Sequence, residues 1–173
     1  KQNKDGNGHP LSRIETISNS YFDMRKVGFS EIPEDKLDFY RLRTNDILIS
    51  HINSDYHVGK TALFSGEETL YHGVNLILLR LFRGIDASYV NLYINKIRLS
   101  GYFLTIAQHA IGQSSINQSK INEIVIPIPP LAEQHRIVAK VDELMTLCDT
   151  LEQQQEDSIQ AHETLVEVLL EAL

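Results

Sequence analysis

The stretch IPIPPLAEQHRIVAKVDELMTLCDTLEQQQ, Ile126 to Gln155, divides the chain into two kinds of sequence. Upstream, short apolar runs alternate with Gly, Asn, Ser and His. Downstream, no Gly or Pro occurs between Leu131 and Leu173. Pro129 and Pro130 lack the amide hydrogen that a sheet ladder needs, whereas the first turn of a helix accepts proline without loss. PPLAEQ therefore reads as a helix start. Ile137, Val141, Leu144, Cys148 and Leu151 then recur at alternating steps of four and three, a heptad seam. The same register runs on through Gln155, Ser158 and His162 to Leu165 and Leu169, so apolar ends flank a polar middle. A helix of roughly forty residues is on the order of 60 Å long, more than a small domain can cover. With no residue to break it, the helix is expected to project as a coiled-coil arm and to find a partner helix. The polar seam positions would set register or orientation.

Charge follows the same division. The chain of 173 residues carries a net charge of -7, yet Lys1 to Pro130 holds 14 basic and 13 acidic side chains, while Leu131 to Leu173 holds 2 and 10. The acid is concentrated in the helix, and the first part does not repel a polyanion. This length supports one core with one appended element, and the boundaries expected are 1–130 and 131–173. The single cysteine, Cys148, excludes a disulfide framework and fits a reducing compartment. No apolar run approaches the roughly eighteen residues of a membrane span, and no signal peptide is visible, so a soluble, cytoplasmic protein is expected. The chain begins at Lys1 rather than methionine, and the expectation is a piece of a longer protein.

Within residues 1–130 the patterning is mixed. Residues 1 to 9 are polar and should fray. Strands are expected at Asp46–Ser50, Thr61–Phe64 and Val74–Leu81, separated by long polar loops. Asp86 to Leu99 has helical spacing at Val90, Tyr93, Ile94 and Ile97, with Asp86 or Ser88 as N-cap. A short helix is expected from Tyr102 to Ala110, and a last alternating strand from Ile121 to Pro129. The fold class expected is α+β, a mixed α/β domain followed by a long C-terminal helix that forms an antiparallel coiled coil.

The ordered series NDILIS, NSDYHVGKTAL, YHGVNLILLRL, SYVNLYIN and GQSSINQSKINEIVIPIPPLAEQ resembles the specificity (S) subunits of type I restriction-modification systems, with PPLAEQ as its most specific part. The ending is similar to the boundary between a target recognition domain and a conserved spacer helix. The resemblance implies two such domains, each reading one half of a bipartite double-stranded DNA sequence, held apart by two long antiparallel helices. It implies a non-catalytic chain around which methyltransferase (M) and endonuclease (R) subunits assemble. This chain departs in having one domain and one helix, and in lacking the opening strand region expected ahead of Leu11. The second helix would come from the same natural subunit or from a copy in a homodimer.

A duplex reader needs amide, hydroxyl and basic side chains on loops, because Asn and Gln match adenine edges and Arg or Lys match guanine. HINSDYHVGK and IGQSSINQSK have that composition. The candidates for base or backbone contact are Asn53, Ser54, His57, Lys60, His72, Gln113, Ser114 and Asn117; for phosphate contact they are Arg41, Arg43, Lys96, Arg98 and Lys120. Each also reads as ordinary solvated surface. Catalytic alternatives are weaker. GKT at Gly59–Thr61 resembles the end of a phosphate-binding loop, but Ser54 stands where that motif requires glycine. His51, His57 and His72 show no further ligand spacing for a metal, and Cys148 falls at the helical seam, where a small buried thiol packs well. No cofactor is expected. The competing reading from another class is a protein-interaction adaptor whose coiled coil is the functional part.

Overall fold

The computed structural model describes residues 6–18 and 21–171, apart from the side chains of residues 53, 168, 169 and 171. Two short antiparallel ladders come first: β1 (His9–Leu11) pairs with β4 (Gly28–Ser30), and β2 (Ile17–Ser18) pairs with β3 (Tyr21–Phe22). His9 is thus held in a ladder rather than frayed, and residues 1–5 lie outside the described set. A one-turn helix, α1 (Leu37–Tyr40), leads into β5 (Ile47–Ser50), β6 (Ile52–Asn53), β7 (Thr61–Leu63) and β8 (Leu76–Leu79). The central sheet has the order β7-β5-β8, antiparallel throughout, with Leu48 opposite Ala62 on one side and Leu78 on the other. These are the three strands that the apolar runs predict. The last begins later than Val74 because Asn75 turns through a positive φ of 66°.

ILIS reads as a strand buried on both faces, and all four residues are buried. Leu48 joins Ile17, Leu42, Ala62, Phe64, Leu70 and Leu76 in the main apolar cluster. Ile47 and Ile49 point to the opposite face by the strand's two-residue period. On that side α2 (Ala87–Leu99) packs against β7. Asp86 caps α2 by accepting from the Tyr89 amide at 2.8 Å, as its sequence position predicts. Thr61 donates to Asn91 Oδ1 at 2.6 Å and accepts from Asn95 Nδ2 at 2.9 Å, which fixes helix to strand through satisfied polar groups.

Two sequence expectations fail. The helix from Tyr102 to Ala110 stops as α3 (Tyr102–Ile106), and β9 (Gln108–Ala110) pairs with β10 (Gln113–Ser115) around Gly112, whose φ is 74°. The expected strand Ile121–Pro129 does not form. Asn117 instead caps α4 (Gln118–Asn122), accepting from the Lys120 amide at 2.9 Å, and the residues that follow are irregular. Pro127, Pro129 and Pro130 cannot donate to a ladder. Tyr89 Oη holds this segment by donating to the Pro127 carbonyl at 2.7 Å.

The chain separates into two compact units, Lys1–Gln134 and His135–Leu173, four residues beyond the boundary expected at 130. The reason is Gln134, which is fully buried. Its Oε1 accepts from the Asp86 amide at 2.8 Å and its Nε2 donates to the Pro129 carbonyl at 2.8 Å. The glutamine of PPLAEQ is therefore a buried clasp in the first turn of α5 (Leu131–Glu171).

The second unit is the remainder of α5, an unbroken helix of 41 residues in all. Leu144, Leu147, Leu151, Ile159, Leu165 and Leu170 are exposed along it. Of the predicted seam, Ile137 and Val141 are half-buried and Gln155, Ser158 and His162 are exposed, as is the Cys148 thiol, which the sequence places in a buried seam. The side chain of Leu169 lies outside the described residues.

Candidate nucleic-acid interface

The two polar stretches singled out in the sequence meet in one sheet. β6 and β9 flank β10, with Asn53 opposite Ser114 and His109 opposite Ser114 on the other side. Ile116 adds a further backbone bond, donating its amide to the His51 carbonyl at 2.8 Å. HINSDYHVGK and IGQSSINQSK are consequently one structural feature.

Ser114 lies at the centre of it and is fully buried. Its hydroxyl donates to Asp55, and His109 Nδ1 lies 2.8 Å from the same oxygen. The Asp55 carboxyl is held below the usual carboxylate range, first by that serine and then by His109. Ser114 is thus a buried brace in this sheet, whereas the sequence offered it as a loop hydroxyl for DNA contact. Nor is the Ser–His–Asp set a catalytic one: the hydroxyl hydrogen goes to the carboxylate, whereas an activated serine passes it to the imidazole.

The segment between β6 and β7 carries the charge. Ser54 folds it by accepting from the His57 and Val58 amides, both at 2.9 Å. Gly59 follows with φ of 79°, and a Cβ there would lie 2.7 Å from the Phe103 ring. The glycine of GKT serves this turn and close packing rather than a phosphate loop. His57 and Lys60 emerge from the turn near Arg98 of α2. Burial pushes the Lys60 ammonium down, and the nearby charges of Arg98 and Lys26 push it further. Burial likewise lowers His57, with Lys60 and Arg98 adding to the effect. Among the described residues, neither Lys60 nor Arg98 has an ion-pair partner, and His57 Nδ1 and Arg98 Nε are buried without a hydrogen bond. Tyr56 is 78% exposed, meets His57 edge to face at 4.9 Å and has the Lys60 ammonium 5.9 Å from its ring. The outcome is a patch of unneutralised positive charge with an exposed aromatic beside it.

The other candidates are dispersed or engaged. Gln113 is exposed on β10, and the side chain of Asn53 lies outside the described residues. Asn117 is occupied as a helix cap. His72 is half-buried, its Nε2 2.9 Å from the Leu76 carbonyl, in a cleft of about 350 Å³ with Tyr40 and Lys36. Arg43 pairs with Asp38 at 3.3 Å and Lys120 with Glu123 at 3.0 Å. Arg41 is exposed, and Lys96 lies over Tyr93. Among the described residues, no three His, Cys, Asp or Glu side chains are grouped to hold a metal, and no helix is long and apolar enough to cross a membrane.

Sequence reasoning missed three features. Tyr56 stands in the middle of NSDYHVGK, and an aromatic among polar loop residues was the available signal. Lys26 is distant in sequence. Asp46, read only as a turn residue, is 1% exposed and takes both ends of Arg80, at 2.8 and 2.6 Å, as well as the Arg43 amide at 2.8 Å.

Residues 1–161 match the sequence profile of the type I restriction modification DNA specificity domain. The chain is 43% identical over 157 residues to the protein assigned as the MjaX type I restriction enzyme specificity subunit of Methanocaldococcus jannaschii, covering 89% of this chain and 37% of that one. It is 26% identical to the EcoKI specificity subunit of Escherichia coli strain K12, over 98% of this chain and 37% of the relative. Its fold is that of the HsdS subunit from Thermoanaerobacter tengcongensis, with a TM-score of 0.64 and 22% identity over 89% of this chain and 34% of the other. A chain from work on complex assembly and conformational transition of the type I R-M system superposes with a TM-score of 0.68 and 23% identity, over 91% of this chain and 36% of that chain. The chain thus spans little more than a third of the length of these relatives. With the profile matched over 161 of its 173 residues, it belongs to the type I restriction-modification DNA specificity domain family.

Proposed function

We propose that this chain is a non-catalytic DNA-reading module of a type I restriction-modification complex. Residues 1–130 would read one half of a bipartite duplex target, and the helix from 131 to 173 would set the distance to the other half. The observation that carries the reading is the pair of cations Lys60 and Arg98, gathered from a loop and a helix beside His57 and the exposed Tyr56 and without an ion-pair partner among the described residues. Phosphates supply the missing negative charge, and displaced counterions make such contacts favourable and salt-dependent. Ser54 and Gln113 would offer polar groups to base edges; Arg41 and Lys96 would extend the phosphate contacts, as would Arg43 and Lys120 on exchanging Asp38 and Glu123 for phosphate.

The exposed leucines of α5 support pairing with a second, antiparallel helix, from the remainder of a longer subunit or from a copy. Two copies would place two recognition domains about a two-fold axis and prefer inverted half-sites at a fixed gap. Ten acidic residues in Leu131–Leu173 oppose that pairing, and basic surfaces of methyltransferase and endonuclease subunits would offset them. With a near-neutral recognition domain, binding without those subunits should be weak.

The test is selection of bound duplexes from a random pool by this chain with its cognate methyltransferase subunit, across a salt series. Enrichment of one half-site, or of two inverted half-sites at constant spacing, is expected. Lys60→Ala and Arg98→Ala should each weaken binding to all sequences and reduce the logarithmic salt slope by about 1. A flat pool at every salt concentration, with the complex verified as assembled, would overturn the reading in favour of the adaptor.

A further inference from the structure

We propose that the tip of the β9–β10 hairpin reads one base pair, with Ile111 packed against the 5-methyl group of a thymine. The inference rests on the DNA-reading function and adds a specificity-determining residue to it. Ile111 is the most exposed of the large apolar residues among those described, at 106%. It occupies the turn between Ala110, paired with Gln113, and Gly112, whose positive φ of 74° closes the turn without a side chain. Isoleucine therefore stands alone at a narrow tip, with small residues on both sides.

The tip is held in place. β10 is bonded to β6 as well as to β9, and the buried Ser114 hydroxyl joins Asp55 of the β6–β7 segment to His109 of β9. That same segment carries Lys60 and His57, so the brace joins the tip to the positive patch. A two-stranded ribbon fits the major groove, where thymine alone displays a methyl group and where apolar side chains distinguish it. A water-exposed isoleucine gains by covering that methyl; among the described residues nothing covers it.

The test uses the complex with the methyltransferase subunit and the half-site it selects. Each thymine is replaced in turn by deoxyuridine, which removes only the 5-methyl group. At one position the wild-type complex should weaken about fourfold, the effect of one buried methyl-sized group, while the Ile111→Ala complex should bind both duplexes equally. Ile111 is exposed, so this variant is expected to fold. Equal sensitivity of both proteins to every replacement, or a half-site without thymine, would overturn the inference and leave the DNA-reading function standing. Loss of subunit assembly by Ile111→Ala, with base selection unchanged, would assign the tip to a protein contact and also overturn it. Absence of any selected sequence would remove the underlying function itself.

Discussion

Leu48 and Leu151 carry the same side chain in opposite surroundings: 0% exposed in β5, 55% exposed in α5. The first unit completes an apolar core around its central sheet and pairs buried polar groups internally, as at Asp46–Arg80, Thr61–Asn91 and Gln134–Asp86. The second unit leaves apolar side chains open along a helix with a large excess of acid. A sheet-and-helix layer can complete its own core, whereas a lone helix buries nothing by itself. The difference separates a unit that completes a core of its own from a helix whose apolar side chains have no cover among the described residues.

Replacing Leu144 and Leu151 together by lysine should have the largest effect. If α5 pairs with a second helix, two charges per helix at the seam should abolish the association, read as a change of oligomeric state in sedimentation velocity. The denaturant midpoint of the first unit should not move. An unchanged oligomeric state would break the comparison, because the exposed leucines would then have no shared function.

Leucine-to-alanine changes in the two units come next. Leu48→Ala should lower the unfolding free energy by about 3 kcal/mol, since it removes buried methyl groups and leaves a cavity in a packed layer. Leu151→Ala should change it by less than about 0.5 kcal/mol in dilute solution, as exposed substitutions do. Urea unfolding followed by near-ultraviolet dichroism distinguishes the two. Equal losses would mean that the helix is stabilised from within the chain.

What was legible in the sequence follows from the range of the interactions involved. ILIS, TAL and LILL are strands because their own apolar runs require burial, and Asp86 caps α2 through a hydrogen bond three residues away. Those signals are local. The strand expected at Ile121–Pro129 does not form because Asn117 caps a competing helix at its start and Pro127 and Pro129 withdraw two of its donors. The pairing of β6 with β10 was not legible: Asn53 and Ser114 are 61 residues apart, and only the folded chain brings them together. For the same reason, Ser114 read as an exposed loop hydroxyl and proved to be a buried brace. The residues of the charged patch, His57, Lys60 and Arg98, were each legible as candidates, but their proximity was not, because Arg98 lies on α2 and only the folded chain brings it to the loop.

Gln134→Ala tests the junction at smaller magnitude. It would leave the Asp86 amide and the Pro129 carbonyl without their partner, at about 2 kcal/mol for buried groups so stranded. Thermal unfolding should show that loss while the helicity of α5 persists. Gln134→Glu should not rescue it, because a carboxylate can accept from Asp86 but has no hydrogen to give Pro129. A neutral effect of both changes would mean that the PPLAEQ glutamine does not fasten the first unit to the helix start.

The smallest expected effect is a pH dependence confined to the first unit. Burial pushes His51, His57 and His72 below the ordinary histidine value of 6.5; His72 also lowers His51, and Lys60 and Arg98 lower His57. The unfolded chain therefore takes up protons on these residues at a higher pH than the folded one. Stability should be level above about 6.5 and should fall as the pH drops below it, until the folded histidines protonate as well. Asp23 and Asp55 have lowered folded values, so their contributions are retained through this window and lost only in stronger acid. His72→Gln isolates one site, because an amide can still donate to the Leu76 carbonyl while carrying no titratable proton. Its stability should fall less steeply between pH 7 and 5 than that of the unaltered chain. If both slopes coincide, His72 is not held neutral by burial, and its cleft is more hydrated than its surroundings imply.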